Sequence, residues 1–106
     1  MESASINIGI KEFRHNFKVS ISGGLTISNV RIFKDIIFSD SFRVKNIILD
    51  LKEFDYIDSS GIGLLFALCK LQREHNKDVK LDNVNLEIKE ILEISGLYGY
   101  YKGSDS

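Results

Sequence analysis

The run Asp58-Ser59-Ser60-Gly61-Ile62-Gly63 gathers the residue types best able to do chemistry in this sequence. A helical composition begins at Ile62 and continues to Glu74, so the run falls at a helix N-terminus. Backbone N–H groups there have no partner inside the helix. A serine at this place can serve as a plain N-cap. It can also carry a phosphate, which would meet free N–H donors and the positive end of the helix dipole. Two adjacent serines exceed what one cap needs. The glycines at 61 and 63 each cost roughly 1 kcal/mol relative to alanine in a helix. They are tolerable where backbone must approach backbone or a partner closely.

Other chemistries fare worse. The nucleophile elbow requires G-x-S-x-G, but Ile57 and Asp58 stand two residues before Ser59 and Ser60. The chain has only two histidines, His15 in a predicted turn and His75 at the polar end of a predicted helix. No catalytic residue is therefore expected, and the chain does not read as an enzyme. Asp50 and Asp58 suggest phosphoacceptor aspartates, yet the first strand ends in Lys11-Glu12-Phe13-Arg14, without the acidic pair a receiver domain places there. Gly23-Gly24 belongs to no G-x-x-x-x-G-K-[ST] loop. Cys69 falls on an apolar helix face and reads as core. One cysteine and two histidines give neither a disulfide nor a metal site, so no metal or cofactor is expected.

The elements that must position these residues alternate between period two and period 3.6, the pattern of an α/β domain. Ile6, Ile8 and Ile10 alternate with polar residues, as do Phe17, Val19 and Ile21, predicting an antiparallel hairpin that turns at His15-Asn16 and ends at Gly23-Gly24. Ser28 or Asn29 can cap a helix running to about Phe38. Val30, Phe33 and Ile37 form its inner face, Ile32 and Ile36 widen it, and Arg31, Lys34 and Asp35 stay wet. Ser39 to Phe42 read as an exit loop. In Asn46 to Lys52, Ile47, Ile48 and Leu49 run together without alternation, predicting a central strand buried on both faces. The segment from Phe54 to Gly63 reads as a loop before the second helix. Val79 to Leu81 is a short strand. Asn85 caps a third helix with Ile88, Ile91 and Leu92 inward and Gly96 just past its end. Leu97 to Tyr101 reads as a last strand. The expected order is β-β-α-β-α-β-α-β: a single mixed sheet of four to five strands with helices mainly on one face.

The chain has 106 residues, of which 43% are hydrophobic, enough for one domain with its own core. Fourteen Lys and Arg against fifteen Asp and Glu give a net charge of −1, without the basic excess that nucleic acid demands. The longest apolar run, Leu64 to Cys69, is far short of the ~20 residues that span a bilayer. The first residues, MESASINIG, lack the basic start and apolar core of a signal peptide. Neither nucleic acid nor membrane insertion is expected, and the expected location is the cytoplasm.

The segment from Val44 to Gly63 resembles the STAS domain, and more narrowly the bacterial anti-sigma factor antagonists, whose signature is a buried strand, a short loop, then D-S-[ST]-G-[hydrophobic]-G opening a helix. Ile91-Leu92-Glu93-Ile94-Ser95-Gly96-Leu97 is similar to the family's later helix with its [ST]-G-[LF] turn. The resemblance covers about residues 5–101 of a single domain, with 102–106 as a polar tail. It implies a binding module that sequesters an anti-sigma factor and so releases a sigma factor. That anti-sigma factor is also a serine kinase; it phosphorylates Ser59, which breaks binding, and a phosphatase restores it. Asp58, Ser60, Gly61, Ile62 and Gly63 then shape the phosphosite and partner face. Gly24 and Thr26 stand where the family has acidic residues in G-[ED]-L-D, a loop that helps meet the partner. The family's last helix is expected to be missing, and the chain to be a monomer or weak dimer. The same fold also serves accessory subunits of ABC-type lipid transporters and stress-signalling assemblies, an alternative in which docking needs no phosphorylation.

Overall fold

A computed structural model describes residues 5–97. Strand β1 (Ile6–Glu12) and strand β2 (Asn16–Leu25) form the expected antiparallel hairpin, closed by a bond from the Phe13 N–H to the Asn16 carbonyl at 2.8 Å. β2 is longer than its alternation suggests. It runs on through Gly23-Gly24 instead of ending there. Gly23 has φ +92°, and a Cβ on it would lie 2.2 Å from the Ser5 carbonyl oxygen, so only glycine lets the strand continue at that point.

The length of β2 organises the sheet. Beside β1 on one flank, its other flank is shared by two parallel partners. β3 (Asn46–Asp50) pairs with Asn16 to Ser20, and β4 (Phe54–Ile57) pairs with Gly23 to Leu25 across a register shift. β5 (Val79–Asp82) continues the sheet beyond β3. The mixed five-stranded sheet is as expected, but β4 lies in what the sequence presents as loop. Its burial does not alternate: Phe54 and Ile57 are buried, while Asp55 and Tyr56 between them are exposed. Such a segment carries no period-two signal. It becomes a strand because β2 outlasts β3 and offers an unpaired edge.

Three helices follow in the order set by the chain: α1 (Val30–Ile37), α2 (Ser59–Glu74) and α3 (Leu86–Ile94). Their apolar stripes and one side of the sheet form a single core, including Val19, Leu25, Phe33, Leu49, Leu65 and Leu92. Two burial expectations are corrected here. β3 is buried on one face only, with Ile47 and Leu49 inward and Ile48 half-exposed between Lys18 and Lys80 in the register. The far face of the sheet has no helix on it among the described residues, and the lysine stems beside Ile48 can shield it. Ile32 and Ile36 do not widen the buried face of α1; they are 52% and 37% exposed, because a helix lying on a sheet buries one narrow stripe.

The exit from α1 is a 3-10 turn over Asp40–Val44 and not a loop. It is fastened by Gln72, fully buried on α2, whose amide donates to the carbonyls of Phe42 and Lys45 at 3.0 and 2.8 Å. Arg43 in the same turn is also buried. It lies over the Phe38 ring and donates to the Ile37 carbonyl, and desolvation lowers its pKa from the usual guanidinium value. At α3 the Asn85 side chain accepts from the Ile88 N–H at 2.8 Å, and Gly96 takes φ +84° after the helix end, both as the sequence predicts. Leu97 is helical and buried, not the start of a strand. The remainder of the expected last strand, the polar tail and the place of the family's last helix lie outside the described residues.

Candidate functional site

α2 begins at Ser59, three residues earlier than its composition suggests, and its N-cap is Asp58. Asp58 has extended backbone angles, and its Oδ1 accepts from the Gly61 N–H at 3.1 Å. This corrects the expectation that a serine caps the helix. Aspartate caps as well as serine, and here its second oxygen has further work. Oδ2 accepts from the Ile27 N–H at 3.0 Å, and the Asp58 N–H donates to the Leu25 carbonyl at 3.3 Å. One residue therefore caps α2 and clasps the connection between β2 and α1.

That connection is itself built as a locked turn. Thr26 and Asn29 are buried at 6% and 3% exposure. The Asn29 Oδ1 accepts from the Thr26 N–H at 2.9 Å, and its Nδ2 donates to the Gly24 carbonyl at 2.8 Å. The Thr26 Oγ1 accepts from the Ser28 N–H at 3.2 Å. Asn29 occupies the N-cap position of α1, but its side chain points back into this turn and makes no cap bond. Gly24 is buried against Tyr56, where a Cβ would come within 3.1 Å of the Tyr56 carbonyl oxygen. Gly24 and Thr26 thus lie beneath the loop surface that the resemblance assigns to them. Ile27, 72% exposed, and Ser28 present that surface instead.

The other site residues divide by exposure. Ser59, at the first helical position, is exposed; Ser60 and Ile62 are half-buried; Gly63 is exposed. The two glycines are not equivalent. A Cβ on Gly61 would fall 2.3 Å from the Leu25 carbonyl oxygen and 2.8 Å from Ile57 Cγ1, whereas one on Gly63 would meet nothing within 4 Å. Gly61 is where the start of α2 lies directly on the end of β2. Ser59 is thereby held at the surface by a neighbour on each side: Asp58 supplies the cap, and Gly61 sets the helix down on the sheet.

The chemistry available to Ser59 follows from its surroundings. His75 lies at the far end of α2, about 24 Å away at the helical rise per residue. His15 lies in the β1–β2 turn, a whole strand length from Leu25 and Asp58. Neither imidazole can act on the Ser59 hydroxyl as a base. What the site offers is an exposed serine, a helix N-terminus and an adjacent carboxylate.

Two contacts of this loop escape local sequence signals. Asn29 resembles a helix cap, and its role in bracing the loop depends on Gly24, five residues earlier. The Ile27 N–H as a donor to Asp58 has no sequence signal, because the two are 31 positions apart.

The STAS domain family matches residues 7–105, and the chain belongs to that family. The anti-sigma-B factor antagonist of Bacillus subtilis is 22% identical over 93 residues, covering 88% of this chain and 85% of that protein. The anti-sigma factor antagonist SpoIIAA in its unphosphorylated form has the same fold, with a TM-score of 0.76 and 20% identity over 89% of this chain and 84% of its own. The phosphorylated form of the Bacillus cell fate determinant SpoIIAA gives a TM-score of 0.71 and 20% identity over 89% and 87% of the two chains.

Proposed function

We propose that this chain is a phosphorylation-switched binding module that sequesters an anti-sigma factor with serine-kinase activity, frees the sigma factor, and accepts the kinase's phosphate on Ser59. The observation that carries this reading is the division of labour at the α2 N-terminus. Asp58 does the capping and clasping, so the adjacent Ser59 hydroxyl is exposed and available. The antagonist relatives support the general role, and a phosphorylated form exists for SpoIIAA.

The switch is electrostatic. A phosphate adds about −1.5 to −2 charge. At a helix N-terminus the dipole favours that charge by about 0.3–1 kcal/mol, so the fold survives. An interface that buries the phosphate without a counter-charge loses several kcal/mol, and ~4 kcal/mol is a thousandfold in affinity. A phosphatase acting on exposed phospho-Ser59 restores binding.

The test combines labelling with binding. Incubation of wild type, Ser59→Ala and Ser60→Ala with ATP and native lysate should label the first and third only, as read by mass spectrometry. Against the purified kinase, the phosphorylated protein should bind at least ~1,000-fold more weakly than wild type, with its melting temperature little changed. Label on Ser59→Ala, or tight binding by the phosphorylated protein, refutes the proposal.

A further inference from the structure

Next to the site, α1 and α2 diverge to leave a groove of about 560 Å³ with Ser60 at its head. Val30, Phe38, Leu64 and Ala67 give it an apolar floor, and Arg31 and Lys34 of α1 stand on its rim together with Asp35. Arg31 and Lys34 are exposed, and neither forms an ion pair with a described residue. From Val30 to Phe38 the groove follows α1 for about 12 Å at the helical rise. That is a little over two turns, room for apolar side chains spaced i, i+4 and i+7 on another helix.

The chemistry of the lining narrows the occupant. Small-ligand clefts place several convergent polar groups to fix orientation, whereas this floor offers one hydroxyl, that of Ser60. The groove runs between two helices and has no unpaired strand edge, so an extended peptide would gain no main-chain bonds. Two unpaired cations against one carboxylate on the rim select a ligand whose flanks are acidic.

We infer that the α1–α2 groove receives an amphipathic helix of the partner, with apolar anchors on the floor and carboxylates facing Arg31 and Lys34. The inference rests on the binding role proposed above and names what the partner brings to the face beside Ser59. It also gives a phosphate on Ser59 a second effect: next to Ser60 at the head of the groove, it repels the carboxylates that Arg31 and Lys34 attract.

The probe is a synthetic helical peptide about fifteen residues long, long enough to hold some helix alone, with leucines at i, i+4 and i+7 and glutamates elsewhere. Its counterpart carries lysines for the glutamates. The full chain, labelled with 15N, is titrated with each at low salt. The acidic peptide should bind saturably and shift the amides of Arg31, Lys34 and Ala67, and binding should fade as salt rises. Arg31→Glu/Lys34→Glu should weaken it at least ~10-fold and improve binding of the basic peptide. Ala67→Trp, which fills the floor from an exposed position, should weaken both by at least ~10-fold. Equal affinity for the two peptides, or no saturable binding up to about 1 mM, about −4 kcal/mol, overturns the inference. So does an unaffected Arg31→Glu/Lys34→Glu variant whose spectrum is otherwise native. No kinase or phosphate enters this test, so its failure leaves the Ser59 switch standing, and failure of the switch leaves this result readable.

Discussion

Gly61 and Gly63 are two residues apart on one helix, and alanine should act on them with opposite sign. At Gly61 the added Cβ would lie 2.3 Å from the Leu25 carbonyl oxygen and 2.8 Å from Ile57 Cγ1. The nearest atom is backbone in the middle of the molecule, so the helix start must lift by roughly an ångström to reach ordinary contact. Overpacking of this kind costs about 1–3 kcal/mol. Lifting also stretches the Asp58 N–H bond to Leu25 and the Gly61 N–H bond to Asp58, a cap worth about 1 kcal/mol. Alanine returns roughly 1 kcal/mol in helix propensity. The net loss is about 1–3 kcal/mol, or roughly 5–20 °C in melting temperature for a domain of this size. At Gly63 the Cβ meets nothing, so only the propensity gain remains, and Gly63→Ala should raise the melting temperature by several degrees. Thermal unfolding followed by circular dichroism measures both. Equal melting temperatures for Gly61→Ala and wild type, or a loss at Gly63 as large as that at Gly61, would refute this account of the close approach.

Asp58→Ala removes the α2 cap and the clasp on Ile27, and should cost about 1–3 kcal/mol; the Ile27 amide should also exchange with solvent faster, measurable by hydrogen exchange. Asp50 should contribute to acid stability: the Asn83 amide, then the Lys52 N–H and nearby lysines, hold its pKa below the ordinary 3.8 against the opposing effect of burial. With the folded value below the unfolded one, its contribution is full above about pH 4 and is lost as pH falls through the lowered value, so Asp50→Asn should flatten the acid limb of a stability–pH curve. Burial pushes the Cys69 thiol pKa up, so a thiol reagent at neutral pH should leave the native protein unmodified and react stoichiometrically once it is unfolded in denaturant.

Much of this architecture is legible without coordinates because it rests on short-range physics. Ile6, Ile8 and Ile10, then Phe17, Val19 and Ile21, declare a hairpin by alternation alone. Asn85, three inward apolar residues and Gly96 bracket a helix by local hydrogen-bonding and φ requirements. Asp58-Ser59-Ser60-Gly61 announces a helix start with a spare hydroxyl, since both properties belong to residues adjacent in the chain. The role proposed for Ser59 comes from the family resemblance, since no local rule could supply it.

Tertiary structure decided whatever depends on partners distant in sequence. Phe54 to Ile57 is a strand only because β2 runs past β3 and needs a neighbour, a fact of sheet length and not of composition. Ile32 and Ile36 look like core on a helical wheel and are exposed, because the crossing of α1 over the sheet selects which stripe is covered. Thr26 and Gly24 stand in a motif position that reads as surface, and they are buried by Asn29 and Tyr56. Gly61 and Gly63 look alike in the sequence, yet one rests against the Leu25 carbonyl and the other faces open space. A sequence states which residues could cap, bend or pack; which of them must do so is set by the atoms that folding brings within 4 Å, and for Gly24, Asp58 and Gly61 those include atoms more than 30 positions away.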